Sequence, residues 1–63
     1  MFTINRTRAS IFIIDDHELV RRGLCELVKG TSDMHVCGEA ATAAEALQRI
    51  GDCSPDVAVA DTL

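Results

Sequence analysis

The stretch Ser10–Asp16, SIFIIDD, decides the fold of this chain. Its apolar part, Ile11–Ile14, is unbroken and rich in β-branched side chains, with no polar position that would mark a solvent face. A run of this kind is typical of a strand that is buried on both faces in the middle of a parallel sheet. The two carboxylates that follow, Asp15 and Asp16, are therefore expected at the carboxyl edge of the sheet, where ligands bind in open α/β folds.

A helix and a second strand are predicted next. Apolar residues at helical spacing indicate a helix over residues 17–29, with Asp16 as its N-cap and Gly30 as its stop signal. Gly23 inside this helix suggests a close approach to the sheet, where a side chain would not fit. Met34–Ala40 is a more polar run and predicts an edge strand.

The second half of the chain predicts a short helix and a third strand. Thr42 and Glu45 form a capping-box pattern, in which the Thr42 hydroxyl accepts from the Glu45 amide and Glu45 reaches back to the Thr42 amide. The amphipathic helix that follows is expected to close at Gly51. The apolar run Val57–Ala60 predicts a third strand, which leads directly into Asp61.

This order of strand, helix, strand, helix, strand implies parallel pairing with right-handed crossovers. The fold class is therefore α/β, the first half (βαβαβ) of a doubly wound parallel sheet. If the first and third strands are neighbours, the strand order is 2-1-3, and Asp15, Asp16 and Asp61 converge at the topological switch point. The third strand is then expected to leave one face and one edge bare, which favours self-association.

Composition narrows the class of protein. A chain of 63 residues allows one small domain, and its net charge of −4 disfavours nucleic-acid binding by this segment. The three cysteines, Cys25, Cys37 and Cys53, are odd in number and lack CxxC spacing, which indicates packed free thiols in a reducing compartment. No secretory signal and no apolar run of about 20 residues is visible, so we expect a cytoplasmic location without membrane contact.

Several other polar residues are expected to have no special role. Arg21 and Arg22 are expected on a solvated helix face. Glu39 is expected at the edge of the second strand without a catalytic role, and His17 and His35 at the surface or a helix start, not as metal ligands.

Three converging carboxylates would repel one another. Two unit charges about 4 Å apart interact by about 4 kcal/mol at an effective dielectric constant of 20. Either one carboxylate takes a proton, or a hard cation lies between them; oxygen ligands suit Mg²⁺ best, and Mn²⁺ is possible. With such an ion beside it, Asp61 is a candidate nucleophile towards a phosphoryl group. The competing interpretations are a helix cap for Asp16 and an ordinary strand-end residue for Asp61.

One ordered set of short motifs extends from about residue 10 to the end of the sequence. It comprises Ile13-Ile14-Asp15-Asp16-His17, Val20, Arg22-Gly23-Leu24, Leu27, Val36-Cys37-Gly38-Glu39-Ala40, Glu45-Ala46-Leu47 and Pro55-Asp56-Val57-Ala58-Val59-Ala60-Asp61. This set closely resembles the receiver domain of bacterial two-component response regulators. The Asp-Asp-His and Arg-Gly-Leu motifs are most similar to the NarL/FixJ type, whose receivers precede a helix-turn-helix DNA-binding domain.

The resemblance implies a flavodoxin-like fold and a set of site residues. Asp61 would be the phospho-acceptor, Asp16 would bind Mg²⁺ directly, and Asp15 would act mainly through water. The third protein ligand of the family, a backbone carbonyl two residues past the acceptor, corresponds to Leu63.

The resemblance also implies domain limits and partners. Residues 1–9 would be a flexible lead-in, and residues 10–63 a truncated receiver, because the family's later Ser/Thr and Lys residues have no counterpart in this sequence. A sensor histidine kinase would be the phosphoryl source. DNA would be bound only by a C-terminal domain that these residues do not include, and the chain would not itself be an enzyme.

Two other functions remain open. A degenerate receiver could serve only for interaction or dimerisation, although all three aspartates are retained. An aspartate-nucleophile phosphohydrolase would resemble Asp-x-Asp after the first strand, whereas His17 stands two residues after Asp15. A dinucleotide-binding fold would need Gly-x-Gly-x-x-Gly at this place, where the chain carries two negative charges instead.

Overall fold

The computed structural model describes residues 9–60 and has the predicted βαβαβ order. Its elements are β1 (Ala9–Ile14), α1 (Glu18–Lys29), β2 (Met34–Ala40), α2 (Ala43–Cys53) and β3 (Val57–Ala60). The strands form one parallel sheet in the order β2-β1-β3. This is the predicted half of a flavodoxin-like, doubly wound sheet. Asp61 and Leu63 lie outside the described residues.

The central strand β1 separates two apolar clusters. Ile11 and Ile13 pack with Cys25 on the face covered by α1, whereas Phe12 packs with Ala46 on the face covered by α2. Ile11, Phe12 and Ile13 are the buried residues of β1, and Phe12 is buried completely. The prediction of a strand buried on both faces is therefore confirmed, and β1 gains the apolar contacts that stabilise the fold on both of its sides.

A β-bulge interrupts the pairing of β1 with β2. Ile11 pairs with Val36 but Phe12 pairs with Gly38, so Cys37 is the extra residue on the β2 side. A Cβ atom at Gly38 would lie 2.8 Å from Cε2 of Phe12. Glycine at this position therefore leaves the space that the Phe12 ring occupies.

The start of α1 differs from the prediction. Its N-cap is His17, which makes no side-chain capping bond, so the expected cap at Asp16 is wrong. Asp15 accepts instead: its Oδ1 lies 2.7 Å from the backbone nitrogen of His17. This carboxylate satisfies an amide at the head of the helix that would otherwise lack a partner in the fold. The helix ends at Lys29, as the Gly30 signal predicts.

Gly23 has open space around it, which contradicts the suggested close approach to the sheet. A Cβ atom built at this position would meet nothing within 4 Å.

At the start of α2, one of the two predicted capping-box hydrogen bonds is confirmed, and the other is made with a different amide. Oγ1 of Thr42 accepts from the Glu45 amide at 3.1 Å, as predicted. Oε1 of Glu45 accepts from the Ala41 amide at 3.0 Å, not from the Thr42 amide. The carboxylate thus binds an amide one residue earlier and still fixes the entry to the helix.

The end of α2 lies beyond the predicted residue. Gly51 is within the helix, which continues to Cys53. Ser54 makes the reversal with a left-handed φ of 50°, and its amide donates to the Ile50 carbonyl. Pro55 follows and cannot continue a helix, so the chain turns here towards β3.

Candidate metal site at the end of the central strand

The candidate site begins where β1 ends. The backbone nitrogen of Asp15 donates to the Ala40 carbonyl at 3.1 Å, so this residue is still tied to the end of β2. Its side chain is buried, with 1% relative exposure for the residue. A carboxylate in such a place is costly unless polar or cationic groups compensate its lost hydration. The prediction that Asp15 lies at the carboxyl edge is confirmed.

Three consecutive side chains meet at this edge. Asp15, Asp16 and His17 each offer one potential ligand atom, and these atoms lie within 4.8 Å of one another. Nδ1 of His17 is 3.1 Å from Oδ1 of Asp15 and 2.9 Å from Oδ1 of Asp16. The imidazole therefore contacts both carboxylates from the solvent side, where its own side chain is 59% exposed. His17 is at the surface and at a helix start, as predicted, and it is also part of the cluster.

The donor set fits a small, hard divalent cation. Asp15 supplies a buried carboxylate and Asp16 a half-exposed one, so an ion between them would have protein oxygens on one side and water on the other. Mg²⁺ keeps several waters and is held by one or two carboxylates in many proteins. The burial of Asp15 would also weaken screening by salt and strengthen the attraction to a cation.

The register of the sheet brings the end of β3 beside the end of β1. Ala60, the last residue of β3, pairs with Ile14, which directly precedes Asp15. The carboxyl ends of β1 and β3 are therefore adjacent. Because Asp61 lies outside the described residues, its convergence with Asp15 and Asp16 stays a prediction.

Arg21 is a part of the site that the sequence did not reveal. Its side chain is only 18% exposed, so the expected solvated face is wrong for this residue, whereas Arg22 is 72% exposed as predicted. Nη1 of Arg21 donates to the Asp15 carbonyl at 2.7 Å. One signal could have found this contact: Arg21 lies one helical turn after His17, and helical side chains point back towards the N-terminus.

Glu39 of β2 holds the other side of the Arg21 guanidinium. Its Oε1 accepts from Nε of Arg21 at 2.9 Å. The carbonyl of Glu39 also accepts from Nη1 of Arg49 in α2 at 2.7 Å. The end of β2 is thereby linked to both helices, with Arg21 as the link to the candidate site.

The cysteines are free thiols, as predicted. Sγ of Cys53 donates to the Cys37 carbonyl at 2.9 Å. Burial, followed by the neighbouring Cys53 thiol, raises the pKa of Cys37 to about 11. Burial together with the negative charge of Glu39 also raises the pKa of Cys25. Thiols held in the neutral form are poor nucleophiles and metal ligands, so Cys25 and Cys37 favour a packing role.

Comparison with curated proteins supplies relatives of known type. The chain is 49% identical over 51 residues to the DNA-binding transcriptional activator DevR/DosR of Mycobacterium tuberculosis, and this match covers 81% of the chain. It is 39% identical over 51 residues to the transcriptional regulatory protein LiaR of Bacillus subtilis. It is 36% identical over 53 residues to the response regulator protein VraR of Staphylococcus aureus. Over most of its length, the chain is therefore homologous to part of these response regulators.

The chain spans about a quarter of the length of these response regulators, since the match covers 24% of DevR/DosR and of LiaR and 25% of VraR. No protein-family model and no solved structure matches it. Within residues 9–60, neither helix is long and apolar enough to cross a membrane. This similarity supports the resemblance stated from the sequence motifs, and the strand order and the acidic residues at the end of β1 agree with that resemblance.

Proposed function

We propose that this chain is receiver sequence of a two-component response regulator and that Asp61 accepts a phosphoryl group from a sensor histidine kinase. One observation carries the proposal: a buried carboxylate, Asp15, and a half-exposed one, Asp16, lie together where the central strand leaves the sheet. The register of β3 supports it, because Ala60 pairs with Ile14 and Asp61 is the next residue of the chain.

The metal site would combine side-chain and backbone oxygens. Asp16 would bind Mg²⁺ directly, Asp15 would act mainly through water, and Asp61 and the Leu63 carbonyl would complete the protein ligands. When bound, Mg²⁺ would neutralise the repulsion between the carboxylates and the incoming phosphoryl oxygens. The solvent-facing position of His17 leaves room at this edge for its ring to move away from Asp15 and Asp16.

The phosphoryl transfer itself would use the Asp61 side chain. The Asp61 carboxylate would attack phosphorus as the nitrogen of the kinase phosphohistidine leaves, giving an acyl phosphate. The transfer needs close positioning of the two reactants. The backbone bond from the Asp15 amide to the end of β2 holds this part of the site in place. In the whole protein, we propose that this modification controls a DNA-binding output domain. The related protein DevR/DosR is a DNA-binding transcriptional activator, which supports this proposal.

Phosphorylation by a small-molecule donor tests the proposal directly. The protein is incubated with acetyl phosphate and Mg²⁺, and the modified residue is located by mass spectrometry of peptides. We expect one phosphoryl group on Asp61, no modification after chelation of Mg²⁺, and none in Asp61→Asn. The matched control is Asp52→Asn, which removes an exposed carboxylate of α2 and should leave modification unchanged. Equal modification of the Asp61→Asn variant would refute the assignment.

A further inference from the structure

We propose that Arg21 is a positioning residue for the metal site, because it holds the loop of Asp15 and Asp16 against the end of β2. This inference rests on the proposed function, in which these two carboxylates bind Mg²⁺. The contact that gives Arg21 this role is made with the backbone, since its guanidinium donates to the Asp15 carbonyl at 2.7 Å.

The contacted carbonyl belongs to the peptide unit that joins the two acidic residues. A peptide unit is planar, so a bond to its oxygen restrains the direction in which the chain leaves Asp15 and enters Asp16. The other side of Asp15 is already held, because its amide donates to the Ala40 carbonyl at 3.1 Å. With Arg21 in place, Asp15 is anchored before and after its α-carbon. The relative placement of the two carboxylates then depends on Arg21.

Glu39 prevents the guanidinium from moving away from the loop. Nε of Arg21 binds Oε1 of Glu39 at 2.9 Å while Nη1 binds the Asp15 carbonyl. The planar guanidinium can satisfy both partners at once, whereas the ammonium of lysine is a compact point charge on a flexible stem. The low exposure of the Arg21 side chain, 18%, indicates a fixed position and not a solvated one.

The chain offers a matched control in the next residue. Arg22 carries the same charge on the same helix, but its side chain is 72% exposed and pairs with Glu18 over 3.7 Å. Substitution of Arg22 changes the net charge as much as substitution of Arg21 does. Any difference between the two variants therefore reports the contacts of Arg21, not the charge of the chain.

Mg²⁺ affinity is the measurement that tests this role. The unsubstituted chain, Arg21→Gln, Arg21→Lys and Arg22→Gln are titrated with Mg²⁺, and binding is followed by the amide NMR signals of residues 15–17. Loss of a group that orients metal ligands lowers metal affinity by about 10- to 100-fold. We expect a loss at the lower end of this range for Arg21→Gln, a similar loss for Arg21→Lys, and no change for Arg22→Gln.

We call the two contacts of Arg21, with Glu39 and with the Asp15 carbonyl, the Arg21 clamp. A second variant tests this clamp with less disturbance of the fold. Glu39→Gln keeps Arg21 and its backbone contact but removes the charge that holds Nε, and we expect a several-fold weaker affinity. In the double variant Arg21→Gln/Glu39→Gln, the loss should equal that of Arg21→Gln alone, because both changes break one clamp. Circular dichroism at the titration temperature confirms that each variant is folded, so that unfolding is not counted as weak binding.

The outcomes separate this inference from the proposed function. If the unsubstituted chain binds no Mg²⁺, the proposed function fails and this inference fails with it. If that chain binds Mg²⁺ but Arg21→Gln and Arg22→Gln bind it equally well, the positioning role alone is overturned. Full retention of affinity in Arg21→Lys would also overturn it, because charge without the planar fork would then suffice.

Discussion

At the scale of single residues, Gly38 is the glycine with the least room for a side chain. A Cβ atom there would lie 2.8 Å from Phe12 and 2.9 Å from Sγ of Cys53. Phe12 is completely buried in the central strand, so it cannot move aside without disturbing the core. Gly38→Ala should therefore lower the free energy of unfolding by about 1–3 kcal/mol, the usual cost of overpacking. Urea denaturation followed by circular dichroism measures this change.

The control for Gly38 lies in α2. A Cβ atom at Gly51 would meet nothing within 4 Å, and this glycine lies inside the helix. Gly51→Ala should raise the free energy of unfolding by up to about 1 kcal/mol, because alanine has the higher helix propensity. A destabilisation of equal size in both variants would show that the close contact with Phe12 is not the cause.

The thiol of Cys37 predicts a dependence of stability on alkaline pH. Burial raises its pKa from 9.0 to about 11, so between these values the folded chain keeps a proton that the unfolded chain releases. The folded state binds more protons in this window, and stability therefore falls as pH rises through it. Cys37→Ser removes the titrating group. Urea denaturation at about pH 8 and about pH 10.5 should show a steeper loss for the unsubstituted chain than for this variant, and equal slopes would contradict the prediction.

At the scale of secondary-structure elements, the N-cap of α2 was predicted from the sequence, and its contribution to the free energy of unfolding can be measured. Oγ1 of Thr42 accepts from the Glu45 amide at 3.1 Å. Thr42→Ala should lower the free energy of unfolding by about 1 kcal/mol, the usual value for an N-cap. Thr42→Ser keeps the hydroxyl oxygen and should retain most of the stability. If serine and alanine destabilise equally in urea denaturation, the hydroxyl does not act as the cap.

The sequence pattern predicted the strands, their order and one helix cap, whereas features that depend on particular long-range side-chain contacts were missed. The apolar run of β1 predicted a central, doubly buried strand, and the Thr42–Glu45 spacing predicted a helix start. The bulge at Cys37 depends on how β2 pairs with β1, which no local pattern records. The burial of Arg21 depends on Glu39, which is 18 residues away in the chain.

The candidate site shows the same division. The sequence placed Asp15 and Asp16 at the end of β1 because charges follow an apolar run there. It assigned the cap of α1 to Asp16, whereas Asp15 accepts from the His17 amide. Both residues suit a cap by type, so the choice depends on the direction in which each side chain leaves the loop. That direction is fixed by contacts with the ends of β2 and α1, such as the Arg21 bond to the Asp15 carbonyl.

At the scale of the whole molecule, the sheet is covered unevenly. Helices α1 and α2 pack on β1 and β2 from opposite faces, whereas β3 contacts β1 and neither helix within residues 9–60. Val57 and Val59 are 48% and 41% exposed on β3. A chain of this size buries only about 60% of the surface that its unfolded form exposes, so its stability alone is expected to be marginal. Burial of the exposed β3 side chains against a second copy of the chain would therefore stabilise the folded state.

Self-association through β3 is the prediction that follows from this uneven coverage. Among the described residues, β3 pairs with β1 along one edge, and its other edge offers backbone groups to a partner strand. We expect sedimentation velocity to show oligomers whose fraction rises with concentration, and a melting temperature that rises with it, because association stabilises the folded state. Val57→Thr/Val59→Thr keeps the β-branched shape but adds hydroxyl groups, which should weaken association.

The control for this prediction is an exposed leucine on a different surface. Leu47 of α2 is 79% exposed, so Leu47→Gln removes comparable apolar area without touching β3. If association is a general effect of exposed apolar groups, both sets of substitutions should reduce it alike. If it proceeds through β3, only the valine substitutions should. A chain that sediments as a monomer at every concentration, yet unfolds cooperatively well above room temperature, would mean that the uncovered strand is stable alone, and the argument from coverage would then be wrong.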